Sequence, residues 1–136
     1  MATNAVFKTG QHISAPVPTG TTAGSPLRLG NINAIAITDE GSVTATKNLG
    51  GGISVTEPSA GVGEGNGFAS VSLDGAWNVP VASTGAVNFG DLIYITGANA
   101  LNTTATGNKI WGYALQARSG TSGNLIVKIA IDTAGN

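Results

Sequence analysis

The sequence predicts an all-β protein folded as one compact domain, a β-sandwich or a small β-barrel. Three observations carry that prediction. Glycine accounts for 21 of 136 residues, and glycine clusters punctuate the chain roughly every ten residues. The runs between them are short and rich in Val, Ile, Thr and Ala, and several alternate apolar and polar residues with the period of two of a half-buried strand. No window sustains the i, i+3, i+4, i+7 spacing of an amphipathic helix, and only a short helical turn near Ala82 to Phe89 is expected.

Val6 to Thr9 and His12 to Val17 open the chain as extended segments. Pro16 and Pro18 confine the second to a sheet edge or an extended arm, because proline cannot donate to a ladder. Residues 1–18 therefore read as an extended N-terminal arm and residues 19–136 as a single all-β domain. In Pro26 to Gly30, Leu27 and Leu29 share a face. In Asn33 to Thr38, Ile35 and Ile37 are in phase, with the small Ala34 and Ala36 opposite. Ser42 to Lys47 and Gly52 to Thr56 are strands on either side of the flexible "NLGGG".

Residues 71–81 hold an Asp-Gly pair between apolar residues, a strong hairpin signal. A two-residue turn at Asp74-Gly75 would leave very short arms. Val71, Leu73, Gly75, Trp77, Val79 and Val81 keep one register throughout, which predicts one long strand. Gly75 then marks a bend or a close approach of Trp77 or a neighbouring backbone, and Pro80 places that end at an edge. Asp91 to Gly97 is apolar on both faces and predicts a central strand covered on both sides. Lys109 to Ala117 alternates Trp111, Tyr113 and Leu115 against Ile110, Gly112 and Ala114. Asn124 to Asp132 puts Leu125, Val127, Ile129 and Ile131 on one face. Glu57 to Gly67 and Gly97 to Asn108 are polar, small-residue stretches and predict surface loops.

Composition narrows the function classes. Charged residues are 10% of the chain, against roughly 25% in an average globular protein. The net charge is −1, which lacks the basic footprint of a nucleic-acid binder. There is no cysteine, so neither disulfides nor thiolate ligands support the fold. The first ten residues have no long apolar core and predict no secretory leader. The longest apolar runs are about five residues, against the ~20 needed to span a bilayer. A soluble product made in a cytoplasm is expected, with neither membrane nor nucleic acid as partner.

Little in the chain points to chemistry. "GVGEGNG" lacks the Gly-Lys-Ser/Thr ending of a phosphate-binding P-loop and reads as a structural loop. His12, the one histidine, lies in the arm without an orienting partner, and reads as solvated or at an interface. Asp39 and Glu40 are adjacent in "TDEG" and read as turn residues, although with loop carbonyls they would suit calcium. Asp91 reads as a strand start. One histidine and no cysteine make a zinc site improbable. Asn102 opens an Asn-Thr-Thr glycosylation sequon, which is idle without secretion. Trp77 and Trp111 read as core or interface anchors before sugar platforms. No catalytic residue, cofactor or metal ligand is assigned.

Residues Val6 to Ile131 resemble, in order and spacing, the small phage capsid decoration (cement) proteins. The carrying stretches are "VFKTGQHISAPVPTGTTAGSPLRLGNINAIAITDEG", "VSLDGAWNVPVA" with Trp77 at the aromatic position, "VNFGDLIYI" with Gly90, Asp91 and Tyr94, and "IWGYALQARSGTSGNLIVKIA". Val43 to Gly67 departs, being longer and richer in glycine. The resemblance implies an all-β protein, β-tulip-like among the barrel forms, that trimerises at threefold or quasi-threefold points on a capsid's outer surface. It implies the major capsid protein and a second and third copy of the chain as partners, a place on the virion after synthesis in a bacterial host cytoplasm, and no enzyme activity. Val6, Phe7, His12, Ile13 and Val17 are the candidate capsid or subunit contacts, in a segment suited to β-augmentation. Trp77, Tyr94, Trp111 and Tyr113 are the candidate core or trimer anchors. The competing readings are another virion part (a head-fibre base, tail or adhesin domain) and a small carbohydrate-binding or hydrolytic domain.

Overall fold

Backbone pairing in a computed structural model, which describes residues 12–58 and 65–131, sorts eleven strands into three units. In chain order they are β1 (His12–Pro16), β2 (Pro26–Leu29), β3 (Ile32–Ala36), β4 (Thr44–Gly50), β5 (Ile53–Pro58), β6 (Phe68–Ser72), β7 (Ala76–Ala82), β8 (Leu92–Ile95), β9 (Leu101–Asn102), β10 (Lys109–Ala114) and β11 (Ser122–Ile129). The order β1-β6-β3-β2 makes a four-stranded antiparallel sheet. The order β10-β11-β7-β9-β8 closes into a five-stranded barrel, with β7 and β9 its parallel pair. β4 and β5 pair with each other as a separate two-stranded ribbon. The all-β expectation is met, with a small barrel as its centre.

Period-two alternation places the core. Val79 and Val81 of β7, Ile93 and Ile95 of β8, and Leu125, Val127 and Ile129 of β11 all point into the barrel and are buried with Trp111. Each such aliphatic side chain contributes roughly 1.5–3 kcal/mol on burial. β3 lies between two apolar clusters. Its Ile35, and Ile37 just past its end, pack against the barrel core, while Ala34 and Ala36 join Ala15, Val17, Leu27, Ala69 and Val71 on the sheet's other face. That is the phase read from the sequence, with large residues on one side and small ones on the other.

Polar groups align the two units. Asn33, 3% exposed, donates from Nδ2 to the carbonyls of Ile110 (3.0 Å), Trp111 (3.1 Å) and Ala130 (3.2 Å). Its Oδ1 accepts from the Arg28 guanidinium at 3.0 Å. The Trp111 indole N–H returns across the seam to the carbonyl of Leu27 at 3.1 Å. The backbone N–H of Arg28 donates to Asn99 Oδ1 at 3.2 Å.

Several expectations need correction. Residues 71–81 are neither a hairpin nor one strand. β6 belongs to the sheet and β7 to the barrel, and the chain changes unit at Leu73–Gly75. Gly75 does mark a bend, with φ of 94°, and a Cβ there would stand 3.3 Å from the indole nitrogen of Trp77. That indole folds back to donate to the Asp74 carbonyl at 2.9 Å. In β10 the register shifts between Ile110 and Gly112, so strict alternation fails: Trp111, Gly112 and Ala114 are all buried and Tyr113 is exposed. β8 is not covered on both sides, because a barrel stave has one interior face and its Leu92 and Tyr94 are half-exposed. Ile131 lies beyond β11 and is 78% exposed. The stretch 97–108 contains β9, with Leu101 buried against the barrel core. Residues 83–91 form turns rather than a helical turn, pinned by paired backbone bonds between Val87 and Arg118 at 2.8 Å each. The Arg118 guanidinium reinforces this by donating to the Gly123 carbonyl (2.5 Å) and Ser83 Oγ (2.8 Å).

Two substitutions test this account. A Cβ on Gly112 would lie 2.2 Å from the Lys128 carbonyl oxygen, so Gly112→Ala should destabilise by about 1–3 kcal/mol or more. Asn33→Ala should cost roughly 1–3 kcal/mol, because it strips donors from buried carbonyls. Urea unfolding of each variant measures both, and a midpoint unchanged from wild type would contradict the assigned contact.

Candidate interaction surface

Among the described strands, those of the ribbon bury least. Every residue of β4 is exposed, as are residues 53–56 of β5. Register pairs Ala45 with Glu57 and Lys47 with Val55, and on the other face Thr46 with Thr56 and Asn48 with Ser54. One face is therefore hydroxyl- and amide-rich, with Thr46 and Thr56 hydroxyls 3.1 Å apart. The other holds Ile53 and Val55 with the ion pair of Lys47 and Glu57 towards its base. Leu49, Ile53 and Val55 are 64%, 61% and 43% exposed. An isolated two-stranded hairpin is marginal in water, so what holds the ribbon matters.

Its foot is clasped by Glu40, whose side chain is 1% exposed. One carboxylate oxygen accepts from the Ser42 amide at 3.0 Å and from the Gly67 amide. The other accepts from the Ser42 hydroxyl and from the Gly20 amide at 3.3 Å. Ser42 stands just before β4 and Gly67 just before β6, so one side chain ties the chain's departure into the ribbon to its return into the sheet. Backbone bonds complete the clasp: Gly41 N to Phe68 O at 3.0 Å and Glu40 N to Thr21 O at 2.7 Å. These donors, the Ser42 hydroxyl first and then the Gly67 amide, lower the Glu40 pKa to about 2, against an opposing effect of desolvation. Asp39 serves the neighbouring turn, accepting from the Ala23 amide at 2.8 Å. The turn role read for this pair holds, and the burial of Glu40 was not legible.

A second exposed apolar area lies on the barrel wall. Tyr113 is paired with Leu92 on one side and Lys128 on the other. One row along, the Leu115 amide donates to the Ile126 carbonyl at 2.8 Å. Tyr113 and Ile126 are 42% and 41% exposed, Leu115 is half-buried, and Phe89 is 71% exposed beside Gly90, whose amide bonds Ala114 at 2.7 Å.

The residues singled out from sequence fall in different places. Val6 and Phe7 lie outside the described residues. His12 is exposed on the edge strand β1, whereas Ile13 and Val17 pack into the sheet's own apolar cluster. Within the expected arm, His12 to Pro16 is thus paired along β6 of the same chain. Trp111 is fully buried and Trp77 half-buried against the barrel core. Tyr94 lines a shallow groove with Asp91, Leu92 and Thr103. Asp91 closes the 88–91 turn by accepting from the Asn88 amide at 2.8 Å. Among the described residues, no three His, Asp or Glu side chains gather in a way that could hold a metal ion. Sequence reading missed Leu49, Ile53 and Val55 as surface residues; the one signal was the glycine-rich turn between two short strands.

Comparison with known proteins gives one match. A family model described as "Phage cement protein" matches residues 7–129. No curated protein and no solved structure matches the chain.

The Glu40 clasp has a pH signature. Its carboxyl titrates at about 2 in the folded chain, below the ordinary 4.5, so the folded state favours the ionised form. The stability this adds is complete above about pH 4.5 and is lost as pH falls towards 2. Thermal unfolding followed between pH 6 and pH 2 should show a decline in that window. The decline should be smaller in Glu40→Gln, which should also unfold at a lower temperature than wild type at pH 6. An identical pH profile for the two proteins would remove the clasp from the account.

Proposed function

The chain belongs to the phage cement protein family, and on that premise we propose that it coats the outer surface of a phage capsid as homotrimers at threefold or quasi-threefold positions. The family is one of structural phage proteins, so the chain has a structural, capsid-associated role in the virion. In the finer reading it links neighbouring copies of the major capsid protein after synthesis in the bacterial host cytoplasm. The family match carries this reading, and the surface supports it. A firmly cross-tied body presents exposed apolar β faces and almost no net charge, which suits close packing against other proteins rather than a nucleic acid. No helix among the described residues is long and apolar enough to cross a membrane.

Cement needs no chemistry from its side chains. It binds the assembled shell and not the dissociated capsid protein, so it stabilises the shell by mass action at every occupied site. Val6, Phe7 and His12 are proposed as shell or neighbour contacts. Tyr94 and Tyr113, which face outward, are proposed as contacts within the trimer, while Trp77 and Trp111 hold the body that presents them.

Shells prepared without this protein test the proposal. Added protein should sediment with them and raise the temperature at which they release DNA, and electron cryo-microscopy should place it at threefold positions outside the shell. Failure to bind shells, or single copies away from those axes, would overturn it. A chain lacking residues 1–10 retains β1 and should keep its circular dichroism spectrum, yet bind shells at least tenfold more weakly. Unchanged binding would assign the contact to other surfaces.

A further inference from the structure

We propose that the apolar face of the β4–β5 ribbon docks on the outer barrel wall of a second copy of this chain, and that this contact builds the oligomer. The inference rests on the homotrimer proposed above and names the surfaces that form it.

Both halves of the contact are present on one chain. The ribbon offers Leu49, Ile53 and Val55, and the wall offers Phe89, Tyr113, Leu115 and Ile126. Both are β surfaces, and two such surfaces pack face to face with interdigitating side chains. Within a single chain they remain exposed, so the fold does not join its own ribbon to its own wall. A ribbon that is marginal alone gains by lying on a sheet that is already rigid. The wall is rigid because its other side is the barrel core.

Three features point to a copy of this chain as the occupant. First, self-association supplies both surfaces in equal number. Second, the chain has a net charge of −1, so copies scarcely repel one another, and the charged groups beside the apolar centres are few: Lys47 and Glu57 on the ribbon, and Lys128 beside Tyr113 and Asp91 near Phe89 on the wall. Third, area favours a ring. The ribbon's strands have seven and six residues, so one face of them is small beside the ~800 Å² per partner of a standard stable interface. Ribbon on wall is a heterologous contact, which closes into a ring when the rotation permits. In a ring every copy gives one ribbon and receives another, doubling the area buried per copy. The Glu40 clasp holds the foot of the ribbon, so the ribbon leaves the body at a defined place.

Sedimentation equilibrium of the full chain and of charge variants decides the matter. Val55→Asp and Ile126→Asp should each weaken self-association at least tenfold. Val55 is on an exposed face and Ile126 points away from the barrel interior, so both variants should keep the wild-type circular dichroism spectrum. Ser54→Asp, on the ribbon's other face, should leave self-association unchanged. Ile126→Lys alone and combined with Val55→Asp completes a double-mutant cycle, in which the two losses should be non-additive because both surfaces belong to one contact. A wild-type chain that stays monomeric at its highest soluble concentration would overturn the proposal, as would losses that simply add. Ribbon variants that keep the oligomer but lose shell binding would assign the ribbon to the capsid protein instead, overturning this contact and leaving the cement reading intact. An oligomer that responds to these variants as described but does not bind shells would do the reverse.

Discussion

The side-chain amide of Asn33 meets three main-chain carbonyls of the barrel, those of Ile110, Trp111 and Ala130, and the alignment of sheet on barrel depends on that meeting. Two N–H groups serve three acceptors, so at least one bond is shared. The register shift in β10 lies at Trp111, whose carbonyl also accepts from the Ala130 amide at 2.9 Å, so the seam meets the barrel at an irregular point of its ladder. Apolar packing between Ile35 and the barrel core is non-directional and would tolerate sliding or rotation. Buried polar groups tolerate neither, because a missed partner leaves a desolvated carbonyl. Arg28 on Oδ1 and the Trp111 indole on the Leu27 carbonyl extend the seam in both directions.

With sheet and barrel joined, the ribbon is the part left outside. Glu40 draws together Gly20, Ser42 and Gly67, which come from three places in the chain, and so closes the excursion at its foot. The molecule thus divides into a body built round two apolar clusters and a projection whose apolar residues stay exposed, as do Phe89, Tyr113 and Ile126 on the barrel wall. That division fits a protein whose work is contact with other proteins. It also shows where charge is used in the fold: Glu40, Arg28 and Arg118, buried or half-buried, are spent on joints.

Much of the core was legible because alternation is a local property. Leu125, Val127 and Ile129 share a face by backbone geometry alone, and Ile35 and Ile37 lie on one face with Ala34 and Ala36 on the other, as alternation predicts. Alternation misled where the backbone departs from it. At Trp111 the register shift put consecutive residues inside and turned Tyr113 outward. At Leu73–Gly75 an unbroken apolar register ran through a change of unit, and φ of 94° at Gly75 was the decisive fact. Leu101 was hidden because a two-residue strand is too short to show any period.

The sequence by itself determined the all-β class, the faces of the regular strands, the edge position of a β1 ending in proline, and the resemblance that family comparison supports. Those follow from residue type and from spacing over a few positions. Only the tertiary structure decided which apolar residues are core and which are surface. Ile53 and Val55 alternate as convincingly as Val79 and Val81, yet one pair is exposed and the other buried. It alone decided that Glu40 is a joint, since its partners Gly20 and Gly67 lie 20 and 27 residues away, and that Asn33 reaches Ala130, 97 residues on. A side chain's polarity is written locally. Whether it finds a partner or a neighbouring sheet depends on where the rest of the chain has gone.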